Sequence, residues 1–262
     1  MSYEFIKVEK EDHLTILTVN RPEVLNCISA PTSVEMDQAL NDFQEDPEAW
    51  LLILTGAGEK AFSAGMDLKW FSEHGVEEYR RMTAPLKGLG GITQRLDCNK
   101  PMIAAVNGLA FGGGFEMALS CDIILAAEHA TFALPEPKVG IMAGAGGAVR
   151  LPRRIPYYAA MSILLTGRRI TASEAASLGL VAEVVPGEQL MAAARRWAAM
   201  VLECAPLAIR ASKEVASQSL DLPLSQALTT VFPAQKTLFQ SQDAVEGPKA
   251  FAAKRKPQWK GR

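Results

Sequence analysis

The chain reads as an α/β fold followed by a helical C-terminal third, and three observations lead there. Short, continuous apolar runs alternate with stretches of helical period through roughly the first 130 residues, the pattern of parallel strands joined by helices. Past Val185 the alternation stops, and helical patterns succeed one another with almost no strand between them. The 20 glycines are an ordinary share, yet 15 of them fall between Gly56 and Gly147, so tight backbone turns crowd into the α/β part.

A chain of 262 residues is one large domain or one domain with an appendage, and Pro186-Gly187 is the expected boundary between residues 1–186 and 187–262. At 48% hydrophobic with a net charge of −2, it can bury a large core and carries no strong field. Disorder and nucleic-acid binding through a basic surface are therefore not expected. Cys27, Cys98, Cys121 and Cys204 form no C-x-x-C pair or framework spacing, which favours a reducing, cytoplasmic setting and no metal. The first residues are charged from Glu4 onward, without the apolar core of a secretory signal. The most apolar stretch, residues 103–127, contains Asn107, Glu116 and Asp122, so no membrane span is expected.

Taken in order, residues 5–9 and 14–19 read as strands turning at Glu11 and Asp12, and Asn20-Arg21-Pro22 stops the second. From residue 31 to 46, Met36, Ala39, Leu40 and Phe43 recur at the i, i+3, i+4, i+7 spacing of a helix packed on one face. Pro31 in its first turn and Pro47 just beyond its end bracket it. Residues 50–55, 101–106 and 122–127 are continuous apolar runs, as expected of strands covered on both faces. Helices are expected at 67–72, 76–96 and 114–120, then at 188–203, 207–217, 224–240 and 244–253.

The glycines fit none of the familiar nucleotide loops, since neither G-x-G-x-x-G nor Gly-Lys occurs, and G-x-S-x-G and H-E-x-x-H are absent as well. His13, His74 and His129 sit apart among polar residues and read as surface side chains. Two strand-then-loop units stand out instead. One runs from the strand at 50–55 into Ala61-Phe62-Ser63-Ala64-Gly65-Met66-Asp67-Leu68; the other runs from the strand at 101–106 into Asn107-Gly108 and Gly112-Gly113-Gly114-Phe115-Glu116. Ligands in parallel α/β folds bind beyond the carboxyl ends of strands, and one N–H from each loop would grip an oxygen that gains negative charge. Tight packing of a helix start is the other use of a triple glycine.

Glu116 is set among apolar neighbours, where a carboxylate is costly without a purpose or a partner. Glu136 comes next in the apolar loop Phe132-Ala133-Leu134-Pro135, ahead of Gly144-Ala145-Gly146-Gly147. Two such carboxyls facing one water would form an acid/base pair; the competing reading is a structural ion pair with Arg150 or Lys138.

These segments, with Asn20-Arg21-Pro22, carry a resemblance over essentially the whole chain to the crotonase superfamily, the enoyl-CoA hydratases and isomerases. The resemblance implies a spiral of repeated ββα units with a helical C-terminal trimerisation region, assembled as a homotrimer or a hexamer made of two trimers. It implies a coenzyme A thioester as substrate and no permanently bound cofactor. The N–H groups of Ala64 and Gly113 would hold the thioester oxygen, and Glu116 and Glu136 would hold one water, one as base and the other as acid. Gly65, Met66, Asp67, Leu68 and Gly144 would contact substrate or CoA, as would Lys254 across a subunit boundary. Retention of both glutamates favours a hydratase over an isomerase, which usually keeps only the equivalent of Glu136. Where many hydratases have proline before Gly-Ala-Gly-Gly, this chain has Ala143.

Within the superfamily, the segments Phe132-Ala133-Leu134-Pro135-Glu136 and Leu165-Thr166-Gly167-Arg168-Arg169, with the C-terminal tail, look most like the carnitinyl-CoA dehydratase branch. A trimethylammonium acyl group calls for an aromatic or anionic wall, for which Trp70, Phe71 and Glu73 are candidates; the plainer alternative is a packed helix with a solvated glutamate. Arg21, Lys60, Lys69, Lys254 and Lys256 are candidates for the CoA phosphates or simply solvated cations. RNA binding through Lys254-Arg255-Lys256 and a catalytically silent, assembly-only role are the competing functions. The short basic run disfavours the first, and the two glutamates disfavour the second.

Overall fold

In the computed structural model, which describes residues 3–262, the first two strands form a hairpin, β1 (Ile6–Glu11) and β2 (Leu14–Val19). Helix α1 (Ala30–Glu45) comes next, with the Ser29 hydroxyl accepting the Thr32 N–H at its start and Pro31 in its first turn. It buries Met36, Ala39, Leu40 and Phe43, the stripe that the spacing predicts.

Three successive repeats then build the spiral. Each places one long strand in a large sheet and one short strand in a small sheet before the chain turns into helix. The first is β3 (Leu51–Gly56), β4 (Ala61–Ser63) and α2 (Leu68–Thr83). The second is β5 (Met102–Val106), β6 (Leu109–Phe111) and α3 (Gly113–Ala118). The third is β7 (Ile123–Ala127) and β8 (Thr131–Ala133), which leads through a 3-10 turn, Glu136–Val139, to α4 (Gly147–Arg154). Then come α5 (Tyr157–Thr166), β9 (Arg169–Thr171), α6 (Ala172–Ser177) and β10 (Glu183–Val185). The large sheet runs β1-β2-β3-β5-β7-β10 and is parallel except for the hairpin. The small sheet runs β4-β6-β8-β9, with only β9 antiparallel.

The apolar runs of β3, β5 and β7 lie almost wholly out of solvent, because helices and the small sheet cover both faces of the large one. The C-terminal helices are α7 (Leu190–Leu202), α8 (Pro206–Gln218), α9 (Leu224–Ala227), α10 (Pro233–Phe239) and α11 (Gln242–Ala252). Helix α7 packs on β3, β5 and β7, and its Leu190, Ala194 and Ala198 join the main core. Packing therefore continues across Pro186-Gly187, and the helices without a place in that core begin at α8.

Three expectations for helices change. The two expected at 67–72 and 76–96 become one helix, α2, interrupted by Gly75 at φ +80° and ended at Thr83. Beyond it, Gly88, Gly90 and Gly91 all take positive φ and wind residues 88–91 into a tight turn that no helix continues. The single helix expected over 224–240 is two, because Pro233 starts a new one and cannot lie inside the first.

Candidate active site

Three short strands of the small sheet end side by side, and the segments leading out of them meet in one cavity of about 460 Å³. Ala64, Met66 and Leu68 come from the first repeat, Gly112, Gly113 and Glu116 from the second, and Pro135 and Glu136 from the third. Leu89, Thr93 and Gln94 supply another wall, Tyr79 an aromatic one, and Ile141, Met142, Gly144 and Ala145 the mouth behind Glu136.

The first loop is held by the Ser63 hydroxyl and by the segment from Leu25 to Ile28 running alongside it. The Ser63 hydroxyl donates to Asn26 O and accepts the Gly65 N–H, while Ile28 N–H donates to Gly65 O and Asp67 N–H to Ile28 O. The Ala64 N–H donates to Leu25 O at 3.0 Å. That bond removes Ala64 from the donor pair expected of it. Among the described residues no acceptor takes the N–H of Met66 or of Gly113, the first residue of α3. The two positions are in contact: a Cβ built on Gly65 would lie 2.8 Å from Gly113 N, and one built on Gly113 would lie 3.5 Å from Met66 N. The free donor pair is thus Met66 with Gly113.

Asp67 and Gly65 support this loop and do not line the cavity. One Asp67 oxygen takes the Arg21 guanidinium at 2.8 Å, and the other caps α2 by accepting the Trp70 N–H at 3.0 Å. Arg21 also donates to Cys27 O, so this candidate for a CoA phosphate is committed to bracing the loop. Leu68 and Gly144 do line the cavity; Lys60, Lys69, Lys254 and Lys256 do not. Trp70 stacks on His74, Phe71 meets Tyr79 edge-on, and Glu73 lies 4.0 Å from Lys69. The packed-helix alternative for residues 70–73 is the one the structure bears out, and the aromatic side chain at the cavity is Tyr79, which no sequence motif singles out. Of the histidines, His13 is half-buried and stacked on Trp50 rather than solvated.

Glu116 is only 3% exposed and accepts the Gly147 N–H at 2.8 Å. Burial pushes its carboxyl up to about 7; the N–H groups of Gly147 and Ala145 and the charge of Arg150 oppose the rise, and Glu136 adds to it. Glu136 is also buried, and burial raises its carboxyl too. Its Oε2 has no hydrogen-bond partner among the described residues. The competing ion pair is not formed: Arg150 donates instead to Thr93 O at 2.7 Å, and Lys138 is exposed. Space for Glu136 comes from Gly112, where φ is +51° and a Cβ would lie 2.9 Å from Oε1.

Leu89, Thr93 and Gln94 have no sequence signal of their own. Only the glycines around Leu89 mark the turn that aims it inward, where it lies directly against Gly113.

Two carboxyls with raised pKa values, at the same cavity as two unpaired backbone donors, equip a spiral of ββα repeats for acid/base chemistry beside an oxyanion. The chain belongs to the enoyl-CoA hydratase/isomerase family, whose model matches residues 9–262. It is 42% identical over 265 residues to a carnitinyl-CoA dehydratase of Salmonella arizonae, covering 98% of this chain and 99% of that one. Among solved structures it resembles an enoyl-CoA hydratase from Bacillus anthracis at 36% identity and TM-score 0.92, covering 99% of this chain and 100% of that one. An enoyl-CoA hydratase from Mycobacterium tuberculosis H37Rv aligns at 37% identity and TM-score 0.90, covering 98% and 99%.

Proposed function

We propose that the protein is an enoyl-CoA hydratase, adding water reversibly and with syn-type geometry across the double bond of a 2-enoyl-CoA thioester. The observation that carries this reading is the pair Glu116 and Glu136, buried at one cavity and, among the described residues, without an ion pair to either. In this reading the thioester oxygen accepts the N–H groups of Met66 and Gly113, which draws electron density from the double bond and stabilises the enolate that forms. The glutamates hold one water between them. The ionised carboxyl takes a proton as the oxygen bonds to the β-carbon, and the protonated one delivers a proton to the α-carbon. Coupled carboxyls titrate as a pair, and burial raises both of these, so the two can hold a single proton between them.

An enoyl-CoA isomerase would need one proton shuttle and leaves Glu116 without a task, which is why hydration is preferred. No resident cofactor is needed for any of these steps. The names of the relatives favour including a crotonobetainyl thioester among the substrates. A homotrimer or hexamer is part of the same reading, supported by the apolar side chains Leu220, Leu224, Leu228, Phe239 and Phe251 exposed on the C-terminal helices and the turns between them. In such an assembly Lys254 of one subunit would face the CoA of the next. A cytoplasmic location is supported by the free thiols of all four cysteines.

The test is hydration of a panel of thioesters (crotonyl, longer-chain, branched, aryl and crotonobetainyl), monitored by loss of the conjugated absorbance. Glu116→Gln and Glu136→Gln should each cut turnover of whichever thioester reacts by about a hundredfold or more. Full rates in both variants would remove the reading.

A further inference from the structure

Arg150 lies outside the cavity and is not accounted for by the proposed reaction, yet it touches two of the walls. It sits on α4, the helix whose first residue, Gly147, donates its N–H to Glu116 Oε1. Its guanidinium packs directly on the backbone of Gly146, the residue before that donor, where any Cβ would collide with it. From there Nη2 reaches the carbonyl of Thr93 at 2.7 Å. Thr93 is nearly inaccessible, and its hydroxyl accepts the N–H of Leu89, the residue that presses on Gly113.

One side chain therefore joins the Gly146-Gly147 corner, which orients Glu116, to the 89–93 turn, which backs the free N–H of Gly113. We propose that Arg150 is a positioning residue for the acid/base pair: it ties these two walls together and places a fixed positive charge behind Glu116. This rests on the proposed roles of the two glutamates. A cation that contacts neither substrate nor water acts through the carboxyl it faces, by favouring its ionised form.

The charges around the pair are few. Glu116 faces Glu136 from the 3-10 turn, the N–H of Ala145 from the loop before α4, and the N–H of Gly147 and the charge of Arg150 from α4 itself. Arg150 in turn feels Arg154, one turn along the same helix, as well as Glu116 and Cys121. Burial and Arg154 both work against its charge, and the Thr93 carbonyl and Glu116 favour it. Arg150 is half-buried, so its field on Glu116 is screened less than that of a surface cation.

The experiment is carboxyl titration by carbon NMR on protein labelled at glutamate, with the Glu116 signal assigned by its loss in Glu116→Gln. In Arg150→Gln and Arg150→Met, the Glu116 titration should move to higher pH. Arg150→Lys should hold it near the wild-type position, while losing the tie to Thr93. The pH profile of kcat/KM on the thioester that turns over should shift to higher pH in step with it. A Glu116 titration unchanged in whichever neutral variant folds would overturn the proposal. So would a pH profile that falls evenly at all pH values without shifting, since that is the mark of a wall that only packs. If no thioester is turned over, the hydratase reading fails, and the titration still decides the role of Arg150.

Discussion

Replacing Gly112 by alanine tests the geometry of the site at its tightest point. The added methyl would lie 2.9 Å from Glu136 Oε1, against 3.4 Å or more for ordinary contact, so the carboxylate must retreat by about half an ångström. The backbone there, at φ +51° and ψ −125°, is one that side chains resist, at a cost of about 1–3 kcal/mol. With the contact included, a loss of about 2–3 kcal/mol is expected, a fall in Tm of roughly 5–10 °C for a chain of this size. A misplacement of about 1 Å costs on the order of a hundredfold in rate, so half of that predicts a fall in kcat of about tenfold or more. KM should change little, because the walls that would hold the rest of the substrate stay in place. Gly75→Ala is the control: its φ is also positive, at +80°, but nothing lies within 4 Å of its Cβ, so it should lose stability and keep kcat. Thermal unfolding and steady-state hydration of crotonyl-CoA read both effects. A Gly112→Ala protein with wild-type kcat would refute the claim that this glycine makes room for the acid/base pair.

The same contacts set other outcomes. Glu116→Gln and Glu136→Gln should each lower kcat by about a hundredfold to ten-thousandfold, the range for removing a general acid or base. The folded carboxyl of Glu116 sits at about 7 against an ordinary value of 4.5, so the native state binds the extra proton. That group's contribution is fully present below pH 4.5 and is lost as pH rises through 7, so Glu116→Gln should be more stable than the parent at pH 8, by on the order of 3 kcal/mol, and equal to it below about pH 4. Equal melting temperatures at both pH values would contradict this. Asp67→Asn breaks the half-buried pair with Arg21 and loosens the loop bearing Met66; a stability loss of about 2–4 kcal/mol is expected, with kcat falling more than KM rises. If kcat is unaffected, the Arg21–Asp67 pair does not position the donor loop.

The large sheet is legible in the sequence because buried parallel strands leave continuous apolar runs, and β3, β5 and β7 lie within one residue of those runs, as β2 does of the strand read at 14–19. The strands β4, β6 and β8 are not, because three residues are too few to display a period. They are nevertheless what aligns the site. Glu116 and Glu136 stand out as carboxyls in apolar settings, a signal that needs no coordinates. The donor at Met66 does not: which N–H in 64–68 stays unpaired depends on Leu25 and Ile28 coming alongside, a tertiary fact. A helix over 76–96 overextends because its apolar period continues into a segment whose glycines, at positive φ, wind it into a turn.

The small sheet has a further consequence. Ala61, Leu109 and Thr131 stand abreast in neighbouring strands, and Met66, Gly113 and Glu136 lie within five residues after each of them. Each repeat thus delivers its chemistry to a fixed slot, the second carrying Glu116 as well as the Gly113 N–H, and the order of the slots across the cavity is the order of the repeats along the chain. A residue inserted between a short strand and its group would shift that group alone, leaving the other two in place. A substitution there would exchange one group for another without disturbing the frame. Such a scaffold lets its reaction be altered one slot at a time, while the large sheet, which contributes none of these groups, continues to specify the fold.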